Sequence, residues 1–141
     1  MVGFDDEAPA KRALDRAIEE AKQRGARLAV LAVGELPLDP GGPRNFGTLD
    51  DGPIQTSFGT PPQLADVLAD AERRLEGQHV KADYLWALGD PARSIVDLAR
   101  ERSASLIVLG EHHRGLLAGL FGLDVPEQVR RHADCDILVV E

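Results

Sequence analysis

The residues best suited to chemistry lie around a glycine and a helix start in the last third of the chain. Gly110 ends the continuous apolar run 106–109, and Asp124, Pro126 and Glu127 follow it. The apolar run predicts a strand buried on both faces. The acid, proline and acid predict a helix N-terminus, with Asp124 as the cap and Glu127 completing a capping box. Glycines and a helix N-terminus at the carboxyl end of a parallel strand predict an anion site.

Acidic side chains are expected at the same place. Asp5, Asp6 and Glu7 follow the first apolar residues, and Glu111 follows Gly110. A carboxylate about 4 Å from a phosphate charge costs about 4 kcal/mol at an effective dielectric of 20. The helix dipole offers an anion only about 0.3 to 1 kcal/mol. The sequence therefore predicts an acidic pocket that repels a phosphate unless a cation lies between the two negative charges.

The loop between the strand and the helix contains the other candidates for chemistry. His112, His113 and Arg114 could offset the acidic charge, and the histidines with Asp124 or Asp5 could hold a divalent metal. Adjacent histidines do not easily point at one ion, however, and no His-Glu-x-x-His spacing is present. Solvated loop histidines are therefore favoured over a metal site. No nucleophile elbow, Walker loop or carboxylate pair indicates a catalytic residue.

The elements that would position these residues alternate along the chain. Short apolar runs predict five strands and apolar residues at helical spacing predict four helices. The strands are residues 2–4, 28–33, 80–88, 106–109 and 137–140, and the helical faces are residues 10–21, 64–75, 92–99 and 125–132. This order predicts one α/β domain over residues 1–141, with a doubly wound Rossmann-like parallel sheet and right-handed crossovers.

Two segments depart from this regular pattern. Residues 80–88 alternate polar and apolar side chains, which predicts an edge strand. Residues 34–60 are rich in glycine and proline, and we interpret them as a long loop within the domain and not as a linker.

Composition and charge exclude several classes of function. The chain has 141 residues, a net charge of −8 and a single cysteine, Cys135. An acidic surface without a basic block repels nucleic acid and anionic lipid. The lone cysteine, and the lack of a signal peptide or a long apolar span, predict a cytoplasmic protein that binds neither nucleic acid nor membrane.

Four segments together resemble the universal stress protein family. They are Val-Gly-Phe-Asp at 2–5, Gly-Asp-Pro-Ala at 89–92, Leu-Ile-Val-Leu-Gly at 106–110 and Arg-His-Ala-Asp-Cys-Asp-Ile-Leu-Val-Val at 131–140. The resemblance covers nearly the whole chain. It implies the sheet order 3-2-1-4-5, and a last strand, from Ile137 to Val140, that pairs across a homodimer. An exposed terminal strand suits such pairing because the backbone N–H and C=O groups along its open edge need hydrogen-bond partners.

The resemblance also implies where a nucleotide would bind. ATP-binding members have Gly-x-x-Gly, nine residues, then Gly-Ser or Gly-Thr around the phosphates. Counting from Gly110 places His113 at the second glycine, Leu123 at the third and Asp124 at the hydroxyl position. Three of the four positions therefore depart from the motif. Gly122 lies one residue before the third glycine position, so a shift of the loop by one residue could restore part of the close approach of the backbone to a phosphate.

Two further positions match the adenosine side of the family's site. Asp5 matches the acid that contacts the base or ribose, and Val33 matches the strand end whose backbone faces adenine. The resemblance thus implies a stress-response protein, a homodimeric binding module without turnover and with weak or no ATP binding. The alternative is an ATP or AMP switch, or a slow ATP hydrolase, in which Mg²⁺ bridges a phosphate to Asp124 and Asp5. A different small-molecule ligand is also compatible with this site.

Overall fold

The computed structural model describes residues 1–34, 46–48, 60–111 and 124–141. Six strands form one sheet. In chain order they are β1 (Val2–Gly3), β2 (Leu28–Gly34), β3 (Phe46–Thr48), β4 (Ala82–Leu88), β5 (Leu106–Gly110) and β6 (Asp136–Val140). Their order across the sheet is β3-β4-β2-β1-β5-β6. The five strands other than β3 are parallel. When these five are numbered 1 to 5 along the chain, they lie in the order 3-2-1-4-5, which confirms the predicted order.

The short strand β3 is the difference from the predicted sheet. It pairs antiparallel with β4, with Phe46 opposite Ala87 and Thr48 opposite Leu85. The predicted edge strand, residues 80–88, corresponds to β4, which begins two residues later, at Ala82. Its outer side is paired with β3 along part of its length. Three residues inside a segment rich in glycine and proline are too few to show a period of two, which is why the sequence did not indicate β3.

Four helices cover the two faces of the sheet within the described ranges. They are α1 (Ala8–Arg24), α2 (Pro62–Leu75), α3 (Pro91–Glu101) and α4 (Val125–His132). The first ends at Gly25, whose φ of 60° lies in the left-handed region that glycine adopts without strain. The third is capped by Asp90, whose Oδ1 accepts a hydrogen bond from the Arg93 amide at 2.9 Å. None of the described helices is long and apolar enough to cross a membrane.

The core consists of one aliphatic layer on each face of the sheet. On one face, α1 and α2 bury residues such as Leu14 and Leu68 against Val30. On the other face, α3 and α4 bury residues such as Ile95 against Leu31. The doubly wound architecture is therefore confirmed. Trp86 of β4 is 2% exposed and packs in the first layer.

Candidate functional site

Strand register brings the candidate residues of three strands to one level. Val2 of β1 lies opposite Val30 of β2 and opposite Val108 of β5. Counting on from this register places Asp5 level with Val33 and with Glu111, one residue beyond the end of β5. The amide of Phe4 donates to the Leu31 carbonyl at 2.8 Å, so the pairing continues past β1. Asp5, Val33 and the strand end at Gly110 thus gather at the carboxyl edge of the sheet.

The acids after β1 shape the entry into α1. Asp5 Oδ1 accepts a hydrogen bond from the Glu7 amide at 3.1 Å. Asp6 has a φ of 66°, in the left-handed region where Asp is tolerated because its side chain can bond locally. The Asp6 Oδ1 atom lies 2.7 Å from Lys11 Nζ. These carboxylates therefore hold a turn, in addition to giving the rim its charge.

Gly110 has a packing reason to be glycine that needs no ligand. A Cβ atom at this position would lie 2.5 Å from the Pro9 carbonyl carbon, 2.6 Å from its oxygen and 2.8 Å from the Ala10 nitrogen. The end of β5 therefore contacts the backbone of the first turn of α1 directly. Only a residue without a side chain permits this approach. The sequence identified the strand end, and the structure gives helix packing as the physical cause of the glycine.

Asp124 caps α4 at the same edge of the sheet. Its Oδ1 accepts a hydrogen bond from the Glu127 amide at 3.4 Å, which confirms the predicted cap. The Glu127 carboxylate contacts Arg130 Nη1 at 3.3 Å and Arg131 Nε at 3.1 Å, on its own helix. From α4 the chain enters β6, which runs parallel to β5, so the start of α4 lies on the carboxyl side of the sheet.

The remaining predicted positions lie outside the described residues. They are His113, Gly122 and Leu123 of the glycine motif, with the neighbouring His112 and Arg114. Within the described ranges, no group of three or more His, Cys, Asp or Glu side chains is close enough to hold a metal ion.

The described part of the site is rich in hydrogen-bond acceptors. Asp5, Glu111 and Asp124 carry carboxylates, and Asp5 and Asp124 are exposed. Ionised carboxylates accept hydrogen bonds and attract cations, but they repel phosphate. This edge of the sheet therefore suits a hydroxyl donor, such as a ribose, or a cation better than it suits a chain of phosphates.

A second concave region lies at the opposite, amino-terminal edge of the sheet. It is a cavity of about 410 Å³ between the first residues of β2 and β5, with Arg27, Asp83 and Arg102 on its wall. Sequence analysis missed these residues because they are far apart along the chain and share no motif. Only the pairing of their strands and helices brings them together.

Comparisons with known proteins agree with this geometry. The model of the universal stress protein family matches residues 1–141. The universal stress protein Rv1636 of Mycobacterium tuberculosis is 32% identical over 141 residues, covering 99% of this chain and 93% of the relative. A universal stress protein solved in complex with cAMP superimposes with a TM-score of 0.73 at 24% identity, covering 99% and 94% of the two chains. The Archaeoglobus fulgidus universal stress protein in complex with dAMP gives 0.64 at 25% identity, with 99% and 94% covered.

Proposed function

The chain belongs to the universal stress protein family, and from that premise we propose a non-catalytic stress-response protein, a homodimeric module that binds ATP weakly or not at all. The observation that carries this proposal is the carboxylate of Asp124 at the first turn of α4. Family members that hold ATP have a neutral hydroxyl at the corresponding position. In this chain the residue at that position, Asp124, caps α4 with a carboxylate, and its negative charge repels phosphate.

The magnitudes favour weak binding over complete exclusion. At an effective dielectric of 20 the repulsion is about 4 kcal/mol, and in bulk water it falls to about 1 kcal/mol. Asp124 is exposed, so the repulsion lies between these limits. The helix dipole contributes about 0.3 to 1 kcal/mol in the opposite direction, so the acid cancels or exceeds it. Asp5 and Glu111 add negative charge to the same edge.

The proposed site is the set of positions predicted from the sequence. In the described ranges these are Asp5, Val33, Gly110 and Asp124, and outside them His113, Gly122 and Leu123. The acceptor-rich edge fits the adenosine end of a nucleotide, because ribose hydroxyls donate to carboxylates. It does not fit three phosphates, because the carboxylates of Asp5, Glu111 and Asp124 at this edge repel phosphate.

Calorimetry with ATP and Mg²⁺ tests the proposal directly. We expect no affinity in the micromolar range for the wild-type protein, and a micromolar dissociation constant would contradict the proposal. Asp124→Ser keeps a capping oxygen and removes the charge, so with Leu123→Gly it should raise ATP affinity by about tenfold or more. Asp90→Ser makes the same change at the cap of α3 and is the matched control. An equal gain in both variants would point to net charge and not to the site.

We propose that the homodimer forms through β6. This strand pairs with β5 on one side and ends the described sheet on the other. Ile137, Leu138 and Val140 pack partly against the two core layers, whereas Val139 belongs to neither layer. An apolar edge strand of this kind gains from pairing with the same strand of a second copy, related by a twofold axis.

Val139→Asp tests the dimer because it places a charge on the proposed interface and leaves both core layers unchanged. We expect sedimentation to show a dimer for the wild type and a monomer for Val139→Asp. Val139→Thr, which keeps the β-branched shape, is the control and should remain dimeric. A wild-type monomer, or a dimer that survives Val139→Asp, would exclude this interface.

The second candidate function is a nucleotide-dependent switch or slow ATP hydrolase. Solved relatives in complex with cAMP and dAMP favour its nucleotide-binding part, because both ligands carry an adenine base and a single phosphate. In this chain Asp5 and Val33 would face the adenosine, and Asp124 with Asp5 would hold Mg²⁺ against the phosphate. Nucleotide released on denaturing freshly purified protein would support this function. A nucleotide-free protein that ignores added AMP and ATP with Mg²⁺ would exclude it.

A further inference from the structure

Three residues lie in a row across the carboxyl edge of the sheet. The register of β1 with its two neighbours places Asp5 between Val33, at the end of β2, and Glu111, just beyond β5. Neighbouring strands lie about 4.8 Å apart, so the row from Val33 to Glu111 spans about 10 Å. A ligand in the proposed nucleotide site therefore has one end beside β2 and the other beside β5.

The two ends of this row differ in chemistry. The end at Val33 is apolar, whereas the other end carries the Glu111 carboxylate. The Glu111 amide donates to the Val140 carbonyl on β6 at 2.8 Å, which fixes this end beside β6. In the proposed site the adenosine lies against Val33 and Asp5. The substituent on the 5′ carbon of the ribose therefore extends toward Glu111.

Asp124 adds a second carboxylate on the side of β5 and β6. Its Oδ1 accepts the Glu127 amide at 3.4 Å, and the side chain is exposed. A carboxylate has about four acceptor sites, so a cap that uses one of them leaves capacity for a ligand. The nearby cations of α4, Arg130 and Arg131, both contact Glu127, at 3.3 and 3.1 Å. Asp124 therefore keeps its negative charge at the start of α4.

The cations at the start of α1 also have partners of their own. Lys11 Nζ lies 2.7 Å from Asp6 Oδ1. Arg12 Nε donates to the Glu141 carbonyl at 2.7 Å. Because these cations are directed to other groups, the β5 end of the row has an excess of negative charge within the described ranges.

We propose that this edge of the sheet selects adenosine compounds that carry a positive charge on the 5′ substituent. The inference rests on the proposed function, because it takes the same site and names the chemical class of its ligand. The adenine and ribose lie against Val33 and Asp5, and the cationic group lies near Glu111 and Asp124. These carboxylates attract an ammonium or sulfonium group at the 5′ carbon, and they repel a phosphate in the same place.

Three ligands that differ only at the 5′ carbon test this inference by calorimetry. They are 5′-amino-5′-deoxyadenosine, adenosine and AMP, which carry a positive charge, no charge and a negative charge near pH 7, where an aliphatic amine is protonated. One unit charge about 4 Å away changes an affinity by about fivefold in bulk water, and by more at a protein surface. We expect the amine to bind at least about fivefold more tightly than adenosine, and AMP at least about fivefold more weakly. Equal affinities, or the reverse order, would overturn the proposal.

Two backbone amides report where the charge lies. The Glu7 amide donates to Asp5 Oδ1 at 3.1 Å, and the Glu127 amide donates to Asp124 Oδ1 at 3.4 Å. In NMR titrations of isotopically labelled protein, adenosine and its 5′-amino derivative should both shift the Glu7 amide, through the ribose. The 5′-amino derivative should shift the Glu127 amide further than adenosine does. Identical shifts of the Glu127 amide with both ligands would overturn the proposal.

The two aspartates that flank α4 provide a matched pair of variants. Asp124→Asn removes one charge at the carboxyl edge and keeps a capping oxygen, because Asn and Asp are equally good caps. Asp134→Asn removes one charge beyond the other end of the helix, where the side chain is 68% exposed. We expect the preference for 5′-amino-5′-deoxyadenosine over adenosine to fall by about threefold or more in the first variant and to remain in the second. An equal fall in both would attribute the preference to net charge and overturn the proposal.

The calorimetric outcomes separate this inference from the proposed function. A micromolar dissociation constant for ATP would contradict the proposed function. If ATP binds weakly or not at all, and 5′-amino-5′-deoxyadenosine binds no more tightly than adenosine or not at all, the proposed function stands and this inference is wrong. Weak binding of ATP together with a preference for the amine supports both.

Discussion

At the carboxyl edge of the parallel sheet the charged candidate residues within the described ranges are carboxylates, whereas around the cavity at the amino edge arginines predominate. Asp5, Glu111 and Asp124 give the first edge its acidity. Arg27 and Arg102 share one aspartate at the second. The fold places ligand sites at the carboxyl edge, but the sign of the charge there opposes phosphate. The difference teaches that a fold supplies a position for binding, and that the side chains decide which ligand is accepted.

The two edges also differ in how tightly they are packed. At Gly110 the backbone of β5 touches the first turn of α1. At the other end of the same strand, Leu106 borders a cavity of about 410 Å³. Substitutions that add atoms should therefore be costly at the carboxyl edge and harmless or stabilising at the amino edge.

Gly110→Ala should produce the largest effect. The new methyl group would lie within 2.6 Å of the Pro9 carbonyl, and backbone atoms cannot move aside as a side chain does. We expect the free energy of unfolding in urea to fall by about 3 kcal/mol. In Gly3→Ala the methyl would meet the end of the Leu109 side chain at 3.0 Å, so the loss should be clearly smaller. Equal losses would mean that α1 shifts freely, and the contrast in packing would not hold.

Helix caps should give a smaller and graded effect at the carboxyl edge. Asp90 accepts the Arg93 amide at 2.9 Å, and Asp124 accepts the Glu127 amide at 3.4 Å. Because the longer hydrogen bond is weaker, Asp90→Ala should cost about 1 kcal/mol of unfolding free energy and Asp124→Ala about 0.5 kcal/mol. Urea unfolding of both variants checks this order. A larger loss at Asp124 would indicate that its carboxylate is mainly a structural cap.

The sequence predicted the features that depend on local periodicity. The apolar stripe of α1 and the aspartate cap of α4 follow from spacing within one helix. The strand order came from the family resemblance, and pairing confirms it.

The features that the sequence did not predict depend on contacts between distant residues. The contact between Gly110 and Pro9 is an example, because neither residue type indicates the other. The Asp83 carboxylate meets Arg27 and Arg102 only when β4, the start of β2 and the end of α3 are assembled. The cavity likewise follows from the register of three strands, which is a property of the sheet and not of any one segment.

The ion pair between Arg100 and Asp134 should give the smallest effect, and it concerns the amino edge. Arg100 Nε lies 2.6 Å from Asp134 Oδ2, and its Nη2 donates to the His132 carbonyl at 3.1 Å, so α3 is joined to the segment after α4. The hydrogen bond from Arg100, and then its charge, hold the pKa of Asp134 below its ordinary value of 3.8. A lowered pKa in the folded state means that the unfolded chain binds the proton more readily.

The stabilisation from this pair is therefore fully present above pH 3.8 and is lost as the pH falls through the lower, folded-state pKa of Asp134. Asp134→Asn should lower the melting temperature slightly at neutral pH, and the difference from wild type should vanish in strong acid. Both side chains are exposed, so added salt should shrink the neutral difference as well. A difference that is independent of pH and salt would mean that packing around Asp134, and not paired charge, stabilises this edge of the sheet.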